Sequence, residues 1–352
     1  MSLPFLQNYL GLSTGLQTRQ ASGGGVGGWK ELGRTTLASN NTVMNVTSLS
    51  DKPYYMYLIH GLVGIRFIET RMRFNSDTGS NYGYRVNGNG GADATGTHNN
   101  IVIDGEQDAR PRFEIGYVAN KSNKEKLLMG WGNLAATGAA TAPTRNEHVH
   151  KWANTGSAIN AFNVLTSDPS GDNFGTGSEV VILGYDPADT HTTNFWQELS
   201  STTLTTTAST INSGTITAKK YLWIQAFIKQ ASPYTVDMHC NGDTGSNYAA
   251  RYSGNGGADA SGTYTKLAGN YSTIAGGFFL NTFVINNYAN EKLAISHTCE
   301  VPTTGAGTAP GRIEWASKWA NTSSQITSID ITKEVGTGDL QSGSILKVWG
   351  SN

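Results

Sequence analysis

The segment "NSDTGSNYGYRVNGNGGADATGT", which spans Asn75–Thr97, returns with few changes as "NGDTGSNYAARYSGNGGADASGT" at Asn241–Thr263. A recurrence this close indicates that one module has been duplicated. The parallel reaches the start of each module, because "WKELGRTTL" begins at Trp29 and "WQELSSTTL" begins at Trp196. We therefore expect two copies of one fold in tandem.

The repeat divides the 352 residues of the chain into four parts. We expect an N-terminal docking segment with a Gly-rich linker at 1–28, a first module at 29–186, a linker at 187–195 and a second module at 196–352. Each module is long enough to bury a hydrophobic core of its own.

Apolar residues alternate with polar ones over short runs in both modules, as in "RFEIGYV" from Arg112 and "YLWIQAFI" from Tyr221. Such alternation, rich in β-branched and aromatic residues and interrupted by Gly, Asn, Asp, Ser and Pro, indicates half-buried strands. About eight such runs in each module fit a β-sandwich of the jelly-roll type. The predicted fold is all-β, with two tandem jelly-roll-like β-sandwiches and no internal helix.

Charged residues are few and balanced, with 25 Lys and Arg against 26 Asp and Glu. No run of basic residues provides the positive surface that a phosphate backbone needs, so we expect no direct nucleic-acid partner. The start "MSLPFLQNYLGLSTGLQTRQ" lacks the basic and apolar regions of a secretion signal. No apolar stretch is long enough to cross a bilayer as a helix, and we expect no membrane partner.

The first residues combine apolar side chains with a flexible connection. Their spacing of three and four residues would give a short helix an apolar stripe, formed by Leu3, Phe5, Leu6, Tyr9 and Leu10. The "ASGGGVGG" that follows is flexible by composition. We expect this segment to dock on another subunit, and packing on its own sandwich is the alternative.

The repeated segments carry side-chain oxygens of the kind that bind a hard cation. These are Asp77, Asn81 and Asp93 in the first copy, and Asp243, Asn247 and Asp259 in the second. The alternative, which we favour, is that Asp and Asn bond to their own turns while Gly supplies positive φ angles. Calcium is the one cofactor for which the sequence offers candidate ligands.

The stretch "NEHVHKW" places His148 and His150 on one face of a strand. Two imidazoles can supply two ligands to a metal ion, but we interpret these histidines as an exposed pair without a third ligand. The sequence contains no G-x-S-x-G or H-E-x-x-H motif, and we expect no enzyme. Glycosidase carboxylates carry no short signature, so the motifs do not address that class.

Two further pairs are interpreted as structural. Glu147 and Lys151 in the first module, and Glu314 and Lys318 in the second, are each four residues apart. Residues so spaced lie on one face of a strand, and we expect each pair to form a surface ion pair. Cys240 and Cys299 occur in the second module. We expect two buried free thiols, because a large core needs no disulfide.

The chain resembles a repeated module of structural proteins from tailed phages and related environmental viruses. The resemblance rests on "LGRTTL" from Leu32, "RMRFNSDTGSNYGYR" from Arg71, "APGRIEWASKWANTSSQITSIDI" from Ala309 and "GTGDLQSGSILKVWG" from Gly336. It covers nearly all of both modules. It implies a capsid- or tail-associated protein without a catalytic role.

Two viral functions are consistent with the resemblance. The first is a virion protein that decorates a capsid or tail and is anchored to other virion proteins by its N-terminal segment. The second is a double jelly-roll major capsid protein that tiles the shell. By analogy with jelly-roll virion proteins, we expect a homotrimer.

A third function, of a different class, is a carbohydrate-binding module for host recognition. Exposed aromatic side chains stack on sugar rings, and the candidates for this role are Tyr84, Trp131 and Trp315. The alternative is that these aromatic residues fill the sandwich cores, where such side chains dominate the packing.

Overall fold

The computed structural model describes residues 28–64, 69–104, 110–167, 173–189, 193–270, 276–286, 289–301 and 305–352. These residues form 24 β-strands, and no helix occurs among them. The expected all-β fold with two similar sandwiches is confirmed. No helix in the described ranges is long and apolar enough to cross a membrane.

The strands of the first module are β1 Lys30–Thr36, β2 Val43–Val46, β3 Tyr54–Gly61, β4 Thr70–Phe74, β5 Tyr82–Gly88, β6 Ala94–His98, β7 Ile101–Val102, β8 Arg112–Ala119, β9 Lys126–Leu134, β10 Thr144–Trp152, β11 Phe162–Thr166 and β12 Glu179–Tyr185. The strands of the second module are β13 Gln197–Thr203, β14 Thr210–Asn212, β15 Tyr221–Lys229, β16 Tyr234–Cys240, β17 Tyr248–Gly254, β18 Ala260–Tyr264, β19 Ala268–Gly269, β20 Gly277–Ile285, β21 Lys292–Val301, β22 Gly311–Trp319, β23 Ile329–Gly336 and β24 Ile345–Ser351.

Each module packs a large sheet of eight strands on a small sheet of four. In the first module the large sheet has the order β1-β12-β3-β8-β9-β10-β5-β6, and the small sheet has the order β2-β11-β4-β7. In the second module the orders are β13-β24-β15-β20-β21-β22-β17-β18 and β14-β23-β16-β19, so the topology is repeated strand by strand. All the pairings are antiparallel.

The strand order is that of a jelly roll with additions. Without the outermost pair β1 and β12 and the hairpin β8–β9, and with the remaining eight strands numbered in chain order, the first module reads 1-8-3-6 in the small sheet and 2-7-4-5 in the large sheet. These two orders are the paired Greek keys of a jelly roll. The added hairpin lies in the middle of the large sheet and widens it.

Each sandwich has its own core between its two sheets. In the second module, Leu222 and Ile224 of the large sheet pack with Met238 and Ile331 of the small sheet. The first module has a corresponding core. Period-two alternation delivers these side chains to one face of each strand, because successive residues of a strand point to opposite faces.

A third apolar cluster lies between the two sandwiches, where their large sheets meet through their outer faces. Phe113 and Ile115 of β8 are buried there against Tyr221, Phe283 and Ile295 of the second sandwich. The rings of Phe113 and Tyr221 have centroids 6.5 Å apart. An interface that is apolar in its centre holds the sandwiches as one unit and does not act as a hinge.

Polar contacts surround this apolar cluster. The Asn133 Nδ2 atom donates to the carbonyl oxygens of Ala294 and Ser317, at 2.9 and 3.0 Å. The Tyr221 hydroxyl donates to Glu179 Oε1 over 2.7 Å. Burial alone would raise the pKa of Glu179, but hydrogen bonds and nearby cations lower it below its ordinary value. These buried hydrogen bonds therefore add directional contacts to the apolar interface.

One charged cluster bridges the two sandwiches. The guanidinium of Arg145 lies 2.8 Å from an oxygen of Asp259 and 2.9 Å from an oxygen of Glu314. It also contacts Glu147, which occupies the position in the first module that Glu314 has in the second. Burial, with a hydrogen bond to Glu314, raises the pKa of Glu147 to about 7, while Arg145 acts in the opposite direction.

The raised pKa of Glu147 makes the stability of this interface depend on pH. The folded chain binds the proton more tightly than the unfolded chain, so the stabilisation is present at acidic pH and is lost as the pH rises through about 7. We expect Glu147→Gln to reduce the fall in melting temperature between about pH 5 and about pH 8, because Gln carries no titrating proton. Differential scanning calorimetry measures this difference.

The control is Glu198→Gln, which removes a surface carboxylate that pairs with Lys347. It should leave the pH dependence as it is in the unaltered protein. An equal change in both variants would show that the effect does not come from the carboxylate pair at the interface.

Candidate functional site

The repeated "DTGSNY" segment forms a turn that is bonded to a buried Trp in the same way in both modules. The Trp152 indole N–H donates to Asp77 Oδ2 over 2.7 Å, and Asn81 and the Gly79 amide also donate to this carboxylate. In the second module the Trp319 indole donates to the Asp243 carboxylate over the same 2.7 Å. We call this arrangement the Asp–Trp latch.

The Tyr that follows each latch fixes the turn to the small sheet. The Tyr82 hydroxyl accepts a hydrogen bond from the Phe74 amide at 3.1 Å. The Tyr248 hydroxyl accepts one from the Cys240 amide at 3.0 Å. Each Tyr thus connects the first strand after the turn with the last residue of the strand before it.

Asn at the start of the segment has a matching role. The Asn75 backbone has a φ of 52° and the Asn241 backbone a φ of 54°, a left-handed conformation that Asn tolerates. The side-chain oxygen of Asn75 accepts from the amides of Asn160 and Ala161. Asn241 makes the same two bonds to the closing segment of its own module. The duplicated polar residues are therefore used to build the module.

The six residues considered for calcium do not come together. Asp93 forms an exposed ion pair with Arg85 at 2.8 Å, at the opposite end of β5 from the latch of Asp77. Asp259 forms its ion pair with Arg145 of the other sandwich. Within the described ranges, no group of three or more His, Cys, Asp and Glu side chains is placed to hold a metal ion.

The expectation of an exposed histidine pair is wrong. His148 and His150 point into the first sandwich, and each side chain is about 4% exposed. The Tyr57 hydroxyl lies 3.4 Å from His148 Nε2, and His150 Nε2 lies 2.9 Å from the Val102 carbonyl oxygen. Burial lowers the pKa of His150 to about 4, so this imidazole is neutral at physiological pH.

The expected surface pairs of Glu and Lys do not form. Lys318 is fully buried and donates to the Ala136 carbonyl and to Glu291, which ties the second sandwich to the first. Glu314 pairs with Arg145, as described above. In the first module, Lys151 pairs with Glu125 at the surface and not with the Glu four residues before it.

The two cysteines are both free, but they differ in exposure. Cys240 is buried in the core of the second sandwich, as expected. Cys299 is exposed on the outer face of β21, where the expectation of a buried thiol is wrong. Burial raises the pKa of the Cys240 thiol well above its ordinary value, which makes it unreactive.

The three aromatic residues considered for glycan stacking occupy different environments. Trp131 packs edge-on against His297 at the junction of the sandwiches, with ring centroids 5.0 Å apart. Tyr84 is half-buried on β5, beside His150. Trp315 is 2% exposed within the second sandwich. The structure therefore does not bring these three residues to one site.

Trp315 does, however, line an open cleft of about 470 Å³ in the second sandwich. The centroid of its ring lies 4.3 Å from that of Tyr252, and its ring packs edge-to-face with that of Tyr264. We call this site the aromatic cleft, and its polar lining includes Lys266 and Glu334. The Trp315 indole N–H has no hydrogen-bond partner in the part of the chain that the structure describes.

The polar side of the aromatic cleft carries a small charge network. Lys266 Nζ lies 2.6 Å from Asp237 Oδ1 and 3.3 Å from Glu334 Oε2. Burial raises the pKa of Asp237 to about 6, and Lys266 opposes that shift. The cleft thus offers aromatic rings, one cation and the Glu334 carboxylate, within the volume range of small-molecule sites.

The first sandwich has a different cleft at the corresponding end. It measures about 620 Å³ and is lined by Arg71, Arg73, His98 and neighbouring polar residues. His98 occupies the position that Tyr264 has in the second module, because each lies opposite the first residue of the preceding strand. The aromatic cleft is therefore a feature of one copy, and the difference between "GTHNN" and "GTYTK" is its sequence signal.

The expected docking residues Leu3, Phe5, Leu6, Tyr9 and Leu10 lie outside the described residues.

Comparisons with known proteins place the chain in no known family. No family model matches it, and no curated protein matches it. Among solved structures, "Mouse laminin alpha1 chain, domains LG4-5" is 8% identical, with a TM-score of 0.19 over 91% of this chain and 89% of that one. The "STIV MCP" is 9% identical, with a TM-score of 0.17 over 91% and 94%. Ail of Yersinia pestis is 5% identical, with a TM-score of 0.13 over 81% and 99%. Similarities this weak support no inference about function.

The Asp–Trp latch predicts a large cost for one Asp and a small cost for another. Asp77→Ala leaves the buried Trp152 indole N–H without its acceptor, which costs about 1–3 kcal/mol. We expect a loss of that size in the free energy of unfolding, measured by urea denaturation.

The matched control is Asp93→Ala, in the same repeated segment, whose ion pair with Arg85 is exposed. It should leave the unfolding midpoint unchanged, and added calcium should not raise the melting temperature of the unaltered protein. Equal losses in both variants, or stabilisation by calcium, would contradict a purely structural role for the latch.

Proposed function

We propose that this chain is a non-enzymatic structural protein of a virus particle, attached to a capsid or tail by its N-terminal segment. The observation that carries the proposal is the apolar interface that joins the two sandwiches into one block. A rigid block with large exposed β-sheet surfaces is suited to be a subunit of a larger assembly. The resemblance to virion modules supports the viral setting.

The contacts of the repeated polar residues support a structural role as well. The repeated Asp, Asn and Tyr side chains are used in turn latches, and the Arg145 cluster is used to hold the sandwiches together. A major capsid protein that tiles the shell is the alternative form of this proposal. The two forms differ in whether the purified chain forms shells or sheets by itself.

The proposal predicts that the chain is found in purified particles. Quantitative mass spectrometry of density-purified virus particles should detect it at a constant ratio to the shell protein. A chain that stays in the soluble fraction would contradict the proposal. Shells or sheets formed by the purified chain alone, seen by electron microscopy, would favour the tiling form.

The anchor is tested with a shortened chain that begins at residue 29. This chain should fail to sediment with particles while keeping the melting temperature of the full-length protein, because both sandwiches lie after that position. Undiminished sedimentation would exclude residues 1–28 as the anchor.

A second candidate function is carbohydrate binding at the aromatic cleft. The observation that favours it is the cluster of Tyr252, Tyr264 and Trp315 beside Lys266 and Glu334. Aromatic faces stack on the apolar faces of sugar rings, and the charged groups can bond to sugar hydroxyls. The cleft supplies both kinds of contact in one copy of the module.

The test is a glycan array followed by calorimetric titration of any sugar that binds. We expect Tyr264→Ala to weaken binding by about tenfold, because the sugar loses one stacking surface. His98→Ala, at the equivalent position of the first sandwich, should leave binding unchanged. An array without binding above background, or equal effects of the two variants, would remove this candidate.

A further inference from the structure

An apolar surface of the first sandwich is left uncovered. Leu127 and Met129 of β9, Val149 of β10 and Tyr54 of β3 are 58%, 49%, 47% and 49% exposed, respectively. Met129 lies directly opposite Val149 in the sheet, and Leu127 is two residues from Met129 on the same face. All four belong to the outer face of the large sheet, beside the half that the second sandwich covers.

The same surface of the second sandwich is covered. Strand register places Tyr221, Leu293, Ile295 and Ala316 at the positions equivalent to Tyr54, Leu127, Met129 and Val149. All four second-module residues are at most 3% exposed. The three larger ones belong to the apolar cluster between the sandwiches. We call this half of the outer surface face B, in either module.

The first sandwich covers face B of the second with a different half of its own outer surface. That half includes Phe113, Ile115 and Ala135, and we call it face A. Register places Phe279 and Asn281 at the equivalents of Phe113 and Ile115 in the second module, and neither belongs to the interdomain cluster.

The internal contact is therefore not reciprocal. Face A of the first sandwich binds face B of the second, while the exposed face B residues of the first and Phe279, Asn281 and Val301 on face A of the second lie outside the interdomain cluster. Val301, which corresponds to Ala135 on face A, is 40% exposed. A heterologous contact of this kind leaves one complementary surface at each end of the chain.

We propose that face B of the first sandwich binds face A of the second sandwich in another copy of this chain, head to tail. A second copy fits this surface because the internal interface already seats a face A on a face B. Repetition of the contact closes a ring or extends a filament, according to the rotation between copies. This inference does not depend on the proposed viral function.

The contact between copies is weaker than the internal one. Asn281 stands where the first module has Ile115, and the exposed Cys299 stands where Asn133 donates to two backbone carbonyls. Face A of the second sandwich is therefore less apolar and lacks that pair of hydrogen bonds. Association should accordingly depend on protein concentration.

Sedimentation velocity of the full-length protein over a range of concentrations tests the proposal. We expect the mass of the unaltered protein to rise with concentration, and Met129→Lys to remain a monomer because a charge on face B cannot be buried unpaired. Val335→Lys is the matched control, since Val335 is at least as exposed as Met129 and lies on the small sheet. A monomer at all concentrations, or the same loss in the control, would overturn the proposal.

A mixture of two variants tests the head-to-tail arrangement. Met129→Lys damages face B, whereas Val301→Lys damages face A, so each should be monomeric alone. Mixed in equal amounts, they should form a dimer of one copy of each and grow no further. Self-association of Val301→Lys alone would show a contact of face B with itself and overturn the arrangement.

The native Cys299 provides a geometric test. In the first module the equivalent residue is Asn133, which contacts the backbone of β21 and β22 beside Ala316. The residue equivalent to Ala316 on face B of the first sandwich is Val149. We expect Val149→Cys to form disulfide-linked chains under mild oxidation and the added change Cys299→Ser to abolish them. Cross-links that survive the added change would contradict the proposed pairing. None of these readouts requires virus particles, so their failure is distinct from failure of the proposed function.

Discussion

The face-to-face packing of the two large sheets is the interaction on which the rest of the molecule depends. A sandwich buries one face of each of its sheets, and the outer face of a broad sheet must then meet water or another partner. Here β3, β8 and β12 carry apolar residues on both faces, so the outer face also has to be covered. The second module supplies that cover, and the duplication thereby becomes part of the hydrophobic core.

The differences between the two copies follow from this packing. Asn133 bonds to carbonyl oxygens across the interface, whereas the residue in its place in the second module, Cys299, is exposed. Lys318 is buried under the loop after β9, whereas its equivalent Lys151 reaches a surface Glu. Equivalent strand positions thus carry different residues, or the same residue in different contacts, because their neighbours differ, although the backbone is repeated.

The sequence predicts the strands well and their partners poorly. Alternation identifies which residues share a strand face, as it does for His148 and His150, but it does not identify which face is the interior. The pair was expected at the surface but is buried, and His148 lies beside Tyr57. The Tyr57 ring fits over Gly130 because Gly has no side chain there. The aromatic cleft escaped prediction for a related reason: strands β17, β18 and β22 are brought together by sheet register, and no local spacing encodes that register.

Buried residues at equivalent positions differ in polarity between the two copies. The residues that specify the fold must therefore be sought among those that the copies share. The first sandwich buries Arg112 and Glu114 at positions where the second has Phe278 and Leu280. Burial raises the pKa of Glu114 well above its ordinary value, which favours the protonated carboxyl. An interior with these charged side chains and one with apolar side chains in their place support the same 12-strand plan. What the copies share instead is the Asp–Trp latch with its flanking Asn and Tyr, and these fixed turns set the strand pairing that both interiors then fill.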